Sequence, residues 1–584
     1  MSTHPRTLLR DERGIALITV LLITFVVAAL AVGAAMITMN AGLITRFGTR
    51  QSLLGSVADA GIAKARATVN ANKALYPDSG YTVLENGVAV TDANGDTIPF
   101  VHRWTYVGPT GITTGQYGVF GSIVSVAKDA FGDEVIRRGE VVQESFAKYA
   151  YFTDIEPSNI SFGGGDQIWG PVHTNDYLKI YSSGATFHGP AETAKKVQGG
   201  QYATFDQGYT ENAPYIAMPQ TADLTKLQVQ AAKGNTAFTG TTVGTTGQAT
   251  IRIEFVALDL NGDGDSTDAN EGFIRVYQSN DPAWVVADVP SGGMRNSQNC
   301  GHYEPNGSFV TAAAHPNNGP DSWKAALSSS TKRCYLGGSD SLSGGFVAAD
   351  GQGQWLKWPG AVSPLVAGRP DAQYLFPISR QLNPDFKGVI YVDGNVAISG
   401  KVRGRVTLAA TGNIVIADDI AYATNPGAGT CADILGMFSG NDVVVADNTL
   451  NAPQIPANGQ NYFTYDDTKD EFIDGVVLAL DVFTVEDYAS GATKAEPCEN
   501  ELWGRGCLYL TGGIIQKTRG AVGTIGSVGG TGYVKRYSYD ACAYSDPPPY
   551  FPTTGHFARG RFFEVNPVGF SVDSLYKMLT PQGN

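Results

Sequence analysis

Charge is scarce in this chain, and between Ile15 and Thr45 it is missing altogether. Asp, Glu, Lys and Arg make up 16% of the residues, against about 25% in an average globular protein. The first 299 residues contain no cysteine, and the six that follow (Cys300, Cys334, Cys431, Cys498, Cys507 and Cys542) never show the close CxxC spacing of a zinc site. No HExxH, GxSxG or phosphate-binding Walker loop occurs, so the sequence offers no enzyme signature. Asp166, Asp393 and Asp418 are carboxylates on strand-like runs, but nothing in their spacing pairs them for glycoside cleavage. His173 and His188 are read as satisfied histidines. The net charge of −14 argues against broad electrostatic attraction to nucleic acid. Glycine is abundant at 71 residues, and large apolar residues are plentiful, which excludes a disordered chain and suits turn-rich β structure.

The uncharged run is the strongest positive signal. As a helix it spans roughly 45 Å, more than the ~20 residues a bilayer requires. Arg6, Arg10 and Arg13 precede it, so its start should face the cytoplasm. No small-residue cleavage site follows the run, as a secretory signal would need. Beyond Arg46, apolar or small residues at 54, 57, 58, 61, 62 and 65 recur at helical spacing. One helix is therefore predicted over 15–75, greasy first and amphipathic later, ended by Tyr76-Pro77.

The phrase Arg13-Gly-Ile-Ala-Leu-Ile-Thr-Val-Leu-Leu and the segment Val57-Ala-Asp-Ala-Gly-Ile-Ala resemble minor pilins of the PilX and GspK type. That resemblance implies a class III leader over 1–14, with Gly14 its last residue and Ile15 the first mature residue. It implies prepilin peptidase, the inner-membrane assembly platform and other pilins as partners. The implied course is a single-pass inner-membrane protein that enters a pilus and reaches the cell surface, with its N-terminus methylated. Thr19 occupies the register position where major pilins carry glutamate. A carboxylate in lipid is costly unless paired, so a subunit with threonine there is expected at or near the filament tip.

The fold class expected is α+β: the pilin helix, a small antiparallel sheet over 76–150, then a large mostly-β domain. Lys128-Asp-Ala-Phe-Gly-Asp between two valine-rich runs reads as a hairpin turn. From 151 to 194 and again from 381 to 565, short alternating runs recur about every 20 residues, as in Gly394-Asn-Val and Gly412-Asn-Ile. This suggests a parallel β-solenoid, with a β-sandwich as the alternative. The span 195–380 fits the repeat poorly and is expected to be an insertion or second lobe, and 566–584 a C-terminal tail. Segments spread over 150–560 are similar to the large β-rich domain of ComZ-like competence minor pilins.

The sharpest local motif is Asp259-Leu-Asn261-Gly-Asp263-Gly264-Asp265-Ser-Thr-Asp268-Ala-Asn270-Glu271. Oxygen donors at alternate positions with glycine at the sixth are what an EF-hand-type loop needs. Its flanks look like strands, so a structural calcium site stapling a β-hairpin is expected, with Asp259, Asn261, Asp263, Asp265, Asp268, Asn270 and Glu271 as donors. An even cysteine count beyond a membrane anchor suggests disulfides. Sequence proximity favours 300–334 and 498–507, leaving 431–542, out of fifteen formal pairings. Lys401, Arg403, Arg405, Lys535, Arg536, Arg559 and Arg561 lie near aromatic residues and are the candidate DNA contacts. The expected role is a non-enzymatic minor pilin-like subunit whose head meets a surface or substrate, with DNA or a surface glycan or protein as its ligand. The alternatives are a competence pilin that binds DNA and a membrane-anchored adhesin outside any filament.

Overall fold

The computed structural model describes residues 13–579 apart from 111–115, 117, 241–248, most of 280–352, 446–469, most of 487–503, and 527–528. It divides into two units: Met1–Ile112 with Phe120–Val142 and Phe557–Asn584, and Thr113–Val119 with Gln143–His556.

In the first unit, α1 runs unbroken over Arg13–Ala71 for 59 residues. No proline interrupts it, and the hydroxyls of Thr19, Thr24, Thr38, Thr45 and Thr49 each bond the carbonyl four residues back. These polar side chains are thereby satisfied within their own helix, which a lipid setting demands. The helix is long and apolar enough to cross a membrane. Its large side chains from Ile15 to Phe47 are exposed. From Leu54 onward one stripe turns inward: Leu54, Val57, Ala58, Ile62, Ala65 and Val69 are buried. Helical order ends slightly before the predicted Leu75, where Asn72 caps a 3₁₀ turn over Lys73–Leu75.

The stripe seats on an antiparallel sheet of β1 (Thr82–Thr91), β2 (Thr97–Pro109), β3 (Phe120–Asp129) and β4 (Glu134–Ser145). Gly61 permits the close approach: a Cβ there would stand 2.2 Å from Ser125 Oγ. The predicted hairpin is the β3–β4 turn, where Lys128 faces Glu134 and Asp129 Oδ1 accepts the amides of Phe131 and Asp133.

A fifth strand, Thr553–Val565, lies beside β4. Helix Val572–Leu579 then stacks Tyr576 on Tyr81, ring centroids 5.1 Å apart. The sequence places 553–565 in the expected solenoid stretch and 566–584 in an expected tail. The last residues instead return to the N-terminal sheet, because their pairing partner lies some four hundred residues away and leaves no local mark.

The second unit is dominated by one mixed sheet of 21 strands. Its spine is a parallel ladder. Ala237–Thr239 pairs with Val389–Asp393, then follow Arg405–Ala410, Ile434–Ser439, Glu471–Val485 and Cys507–Arg519. Cys507–Arg519 pairs in parallel with β5 (Tyr151–Ile155), and β5 leads on to Val172–Thr174, Ala191–Thr193 and Tyr209–Glu211. Spatial order thus departs from chain order. The chain enters mid-ladder at β5, builds outward to Glu211, passes α2 (Thr221–Lys233), restarts at the opposite end and returns to close on β5. The span 195–380, expected as an insertion or second lobe, joins this sheet through Tyr209–Glu211 and through Ile251–Ala257, which pairs with Val396–Val402.

Inward side chains from successive strands meet register on register. Phe162, Phe187 and Phe205 follow one another at centroid spacings of 5.2 and 5.0 Å. Valines, isoleucines and leucines from 390 to 514 complete a continuous core. Burial of so many apolar side chains on both sides of a strand is the usual mark of parallel pairing.

Candidate functional site

Ile15 stands in the first turn of α1 and is 66% exposed. Thr19 donates its hydroxyl to the Ile15 carbonyl at 2.8 Å, so the position carries no charge and needs no partner. Further along, α1 is fixed to its sheet by ion pairs. Arg50 reaches Asp129 at 2.5 Å and Asp133 at 2.6 Å. Glu85 receives Arg103 at 2.7 Å and Lys64 at 2.9 Å. Burial would push the Glu85 carboxyl up, but hydrogen bonds from Arg103, Thr105 and Lys64 hold it down at about 2.

The acidic loop does close a hairpin: Ile251–Ala257 and Gly272–Ser279 pair from Ile251/Gln278 to Ala257/Gly272. Asp259 accepts the amides of Gly262 and Gly264. The Asn261 amide donates to Asp263 at 2.9 Å and Asp268 at 2.8 Å, standing between two carboxylates. Glu271 differs from the rest. It is buried, and its two oxygens accept the amides of Leu260 and Asp268. The all-oxygen donor chemistry of Asp259, Asn261, Asp263, Asp265 and Asp268 fits a calcium ion. Among the described residues no three His, Cys, Asp or Glu side chains gather at metal-holding distance. Taking up an ion would therefore need Asp263 and Asp268 to turn from the Asn261 amide toward it.

Two of the disulfides suggested by spacing are present: Cys431–Cys542 and Cys498–Cys507, with Cα atoms 5.2 and 4.6 Å apart. Cys300 and the side chain of Cys334 lie outside the described residues. His173 is fully buried between Asn175 and Glu192, and His188 pairs with Asp206 while stacking on Trp169. Asp166 holds Lys535, Asp393 accepts from Thr411, and the Asp418 side chain is outside the described residues.

The candidate DNA contacts are dispersed over both units, and most are engaged. Arg403 is buried against Asp433, Arg405 holds Asp546, Lys535 holds Asp166, Arg536 holds Glu499 and Arg561 holds Glu140. Arg559 lies over the Phe562 ring and Lys401 is half-buried.

Sequence reasoning missed a buried polar seam where Cys507–Arg519 meets β5. Arg519 is sealed from solvent, donates to Glu156 at 3.1 Å and sits 3.8 Å over the Phe162 ring. Desolvation opposes its charge, yet Tyr151 and Glu156 keep the guanidinium protonated. Burial pushes the neighbouring Lys535 ammonium down against the pull of Asp166. Beside this seam a half-open cavity of about 310 Å³ is lined by Asn159, Ser161, Tyr181, Tyr488, Tyr533 and Lys535. These residues come from stretches of the chain up to several hundred residues apart, so no sequence window could show them together.

No family model and no curated protein matches the chain. Among solved structures, the crystal structure of the competence-associated pilin ComZ from Thermus thermophilus is similar over 88% of this chain and 98% of its own, at 10% identity and a TM-score of 0.26. The functional reading below therefore rests on the chain's own residues.

Proposed function

We propose that the chain is a minor pilin-like subunit of a type IV pilus or related filament, carrying a large non-enzymatic head. The observation that carries this reading is α1. It passes without a break from an exposed, uncharged half into a half whose apolar stripe is buried on a small antiparallel sheet. A simple anchor needs only the first half. A subunit drawn from the membrane into a fibre needs both, because the same rod must leave lipid while the small sheet stays folded on it. We read the long parallel ladder of the head as a β-solenoid, since each strand stacks in register on one from a neighbouring coil. Thr19, neutral and satisfied within its own helix, supports a place at or near the tip, where no glutamate is needed to meet a neighbouring amine. The oxygen-rich loop at 259–271 is proposed to take calcium.

Processing tests the reading. Gly14→Ala is expected to block removal of the leader and leave the subunit in the inner membrane, absent from sheared filaments on immunoblot. Normal processing and filament entry by that variant would count against a pilin route. A membrane-anchored adhesin would instead reach the surface unaffected by the change. DNA binding is not part of the proposal, since five of the seven candidate cations already hold a carboxylate.

A further inference from the structure

We infer that the cavity beside the Arg519 seam is a binding site for a neutral sugar ring. The argument begins with its walls. Tyr181 is 56% exposed and presents a broad ring at the mouth. Tyr488 and Tyr533 line it further, and the segment 520–524 forms its floor. Tyrosine offers an apolar face with a polar tip, which suits a pyranose: one face of carbon-bound hydrogens, with hydroxyls at the rim.

The polar groups in the wall point the same way. The side chains of Asn159 and Ser161 make no hydrogen bond among the described residues, and neither does the Tyr181 hydroxyl. Together they offer both donors and acceptors at the mouth, as a hydroxylated ligand requires. The floor, by contrast, is internally satisfied. The Ala521 carbonyl accepts from Thr484, the Val522 carbonyl from the Tyr533 amide, and Thr524 bonds Thr531.

Charge excludes the obvious competitors. Among the described residues Lys535 is the one titratable cation in the lining, and Asp166 neutralises it at 2.7 Å. The site therefore has no net positive charge with which to hold phosphate, sulfate or a uronate, and no free carboxylate for an amine. Its volume of about 310 Å³ lies at the low end of the roughly 300–1,000 Å³ usual for ligand pockets, enough for one or two sugar rings. This inference goes beyond the filament reading and does not depend on it, since sugar binding is measurable whether or not the subunit enters a fibre.

The test uses the full chain in lipid nanodiscs, because glycoside detergents would occupy the site. Cellobiose, maltose, lactose and chitobiose are titrated by saturation-transfer NMR and calorimetry, with a sulfated disaccharide and a thymidine oligonucleotide as charged probes. At least one neutral disaccharide is expected to bind. Tyr181→Ala and the double change Asn159→Ala with Ser161→Ala are each expected to weaken it at least tenfold. Tyr215→Ala, another exposed tyrosine that does not line this cavity, should leave binding unchanged. Both pocket variants alter surface positions, and an unchanged melting temperature would show that they fold. The inference is overturned if no neutral disaccharide binds at roughly 10 mM, a concentration well above a weak millimolar Kd. It is equally overturned if binding survives both pocket variants, or if only the charged probes bind.

Discussion

Asp474 sits half-buried where Glu471–Val485 meets Cys507–Arg519, accepting the Tyr422 amide at 2.9 Å. Burial, aided by the nearby Asp540, pushes its carboxyl up from 3.8 to about 6. A carboxyl raised in the folded state binds its proton more tightly there than in the unfolded chain. Stability linked to this group is therefore fully present below about pH 4 and falls as pH rises through 6. Asp474→Asn keeps an oxygen for the Tyr422 amide and removes the charge. The variant should match the parent near pH 4 and exceed it by about 1–3 kcal/mol at pH 7.5, read as a higher Tm in thermal melts at the two pH values. A gain of equal size at both pH values would show that ionisation is not the cause. Glu85 has the opposite sign: its low value gives stability that is present above the ordinary carboxylate range and lost as pH falls toward 2. Neither behaviour was legible in the sequence, where both residues stand among ordinary strand positions. Two cysteine pairs were legible: 498–507 from its short separation, and 431–542 as the remainder once 300 and 334 are also paired by proximity.

At the scale of elements, helical periodicity did most of the work. The spacing of 54, 57, 58, 62 and 65 predicted the face that is buried, since a helix has one geometry and its stripe repeats every few residues. The β3–β4 turn was equally local. The acidic loop was recognised as a hairpin, but the role of Glu271 was not. Its carboxylate is buried, unlike the exposed Asp259, Asp263, Asp265 and Asp268, and is held by two backbone amides, which makes it the strap of the loop. If calcium binds, it should act on Asp259, Asn261, Asp263, Asp265 and Asp268, with Asn270 the remaining candidate donor. Millimolar calcium is then expected to raise Tm, by up to about 3 kcal/mol of stability at a hundredfold excess over Kd, and EDTA to reverse the gain. Asp263→Asn with Asp268→Asn should abolish the calcium response while leaving the apo Tm unchanged or higher, because it removes two like charges facing each other across Asn261. An EDTA-insensitive melt would exclude the ion.

At the scale of the whole molecule, the order of the ladder was beyond the reach of any local signal. Repeats near 20 residues pointed to recurring short strands, but not to the strands of 151–211 meeting Cys507–Arg519. The early strands are joined to the rest by Cys507–Arg519 pairing with β5, which sets Arg519 between Glu156 and Phe162, and by Val534–Tyr539 pairing with Asp166–Ile168. The two stretches are thus joined by the strands of 507–539 rather than by adjacency in the chain. Parallel pairing across more than 350 residues carries a large loop-closure cost that only burial along the strand can offset. Two truncations separate the consequences. Ending the chain at residue 505 removes both joining strands, and trypsin or hydrogen exchange should then report opening on both sides of the gap, in 151–211 and in 471–485. Ending it at residue 552 spares those strands and removes only the fifth strand and final helix of the first unit. The ladder should then stay protected while Tyr81 and the outer face of β2 and β3 become accessible. Protection of 151–211 in the shorter chain would mean that the early strands are stable alone, and that the Arg519 seam is a late embellishment instead of the junction that completes the second unit.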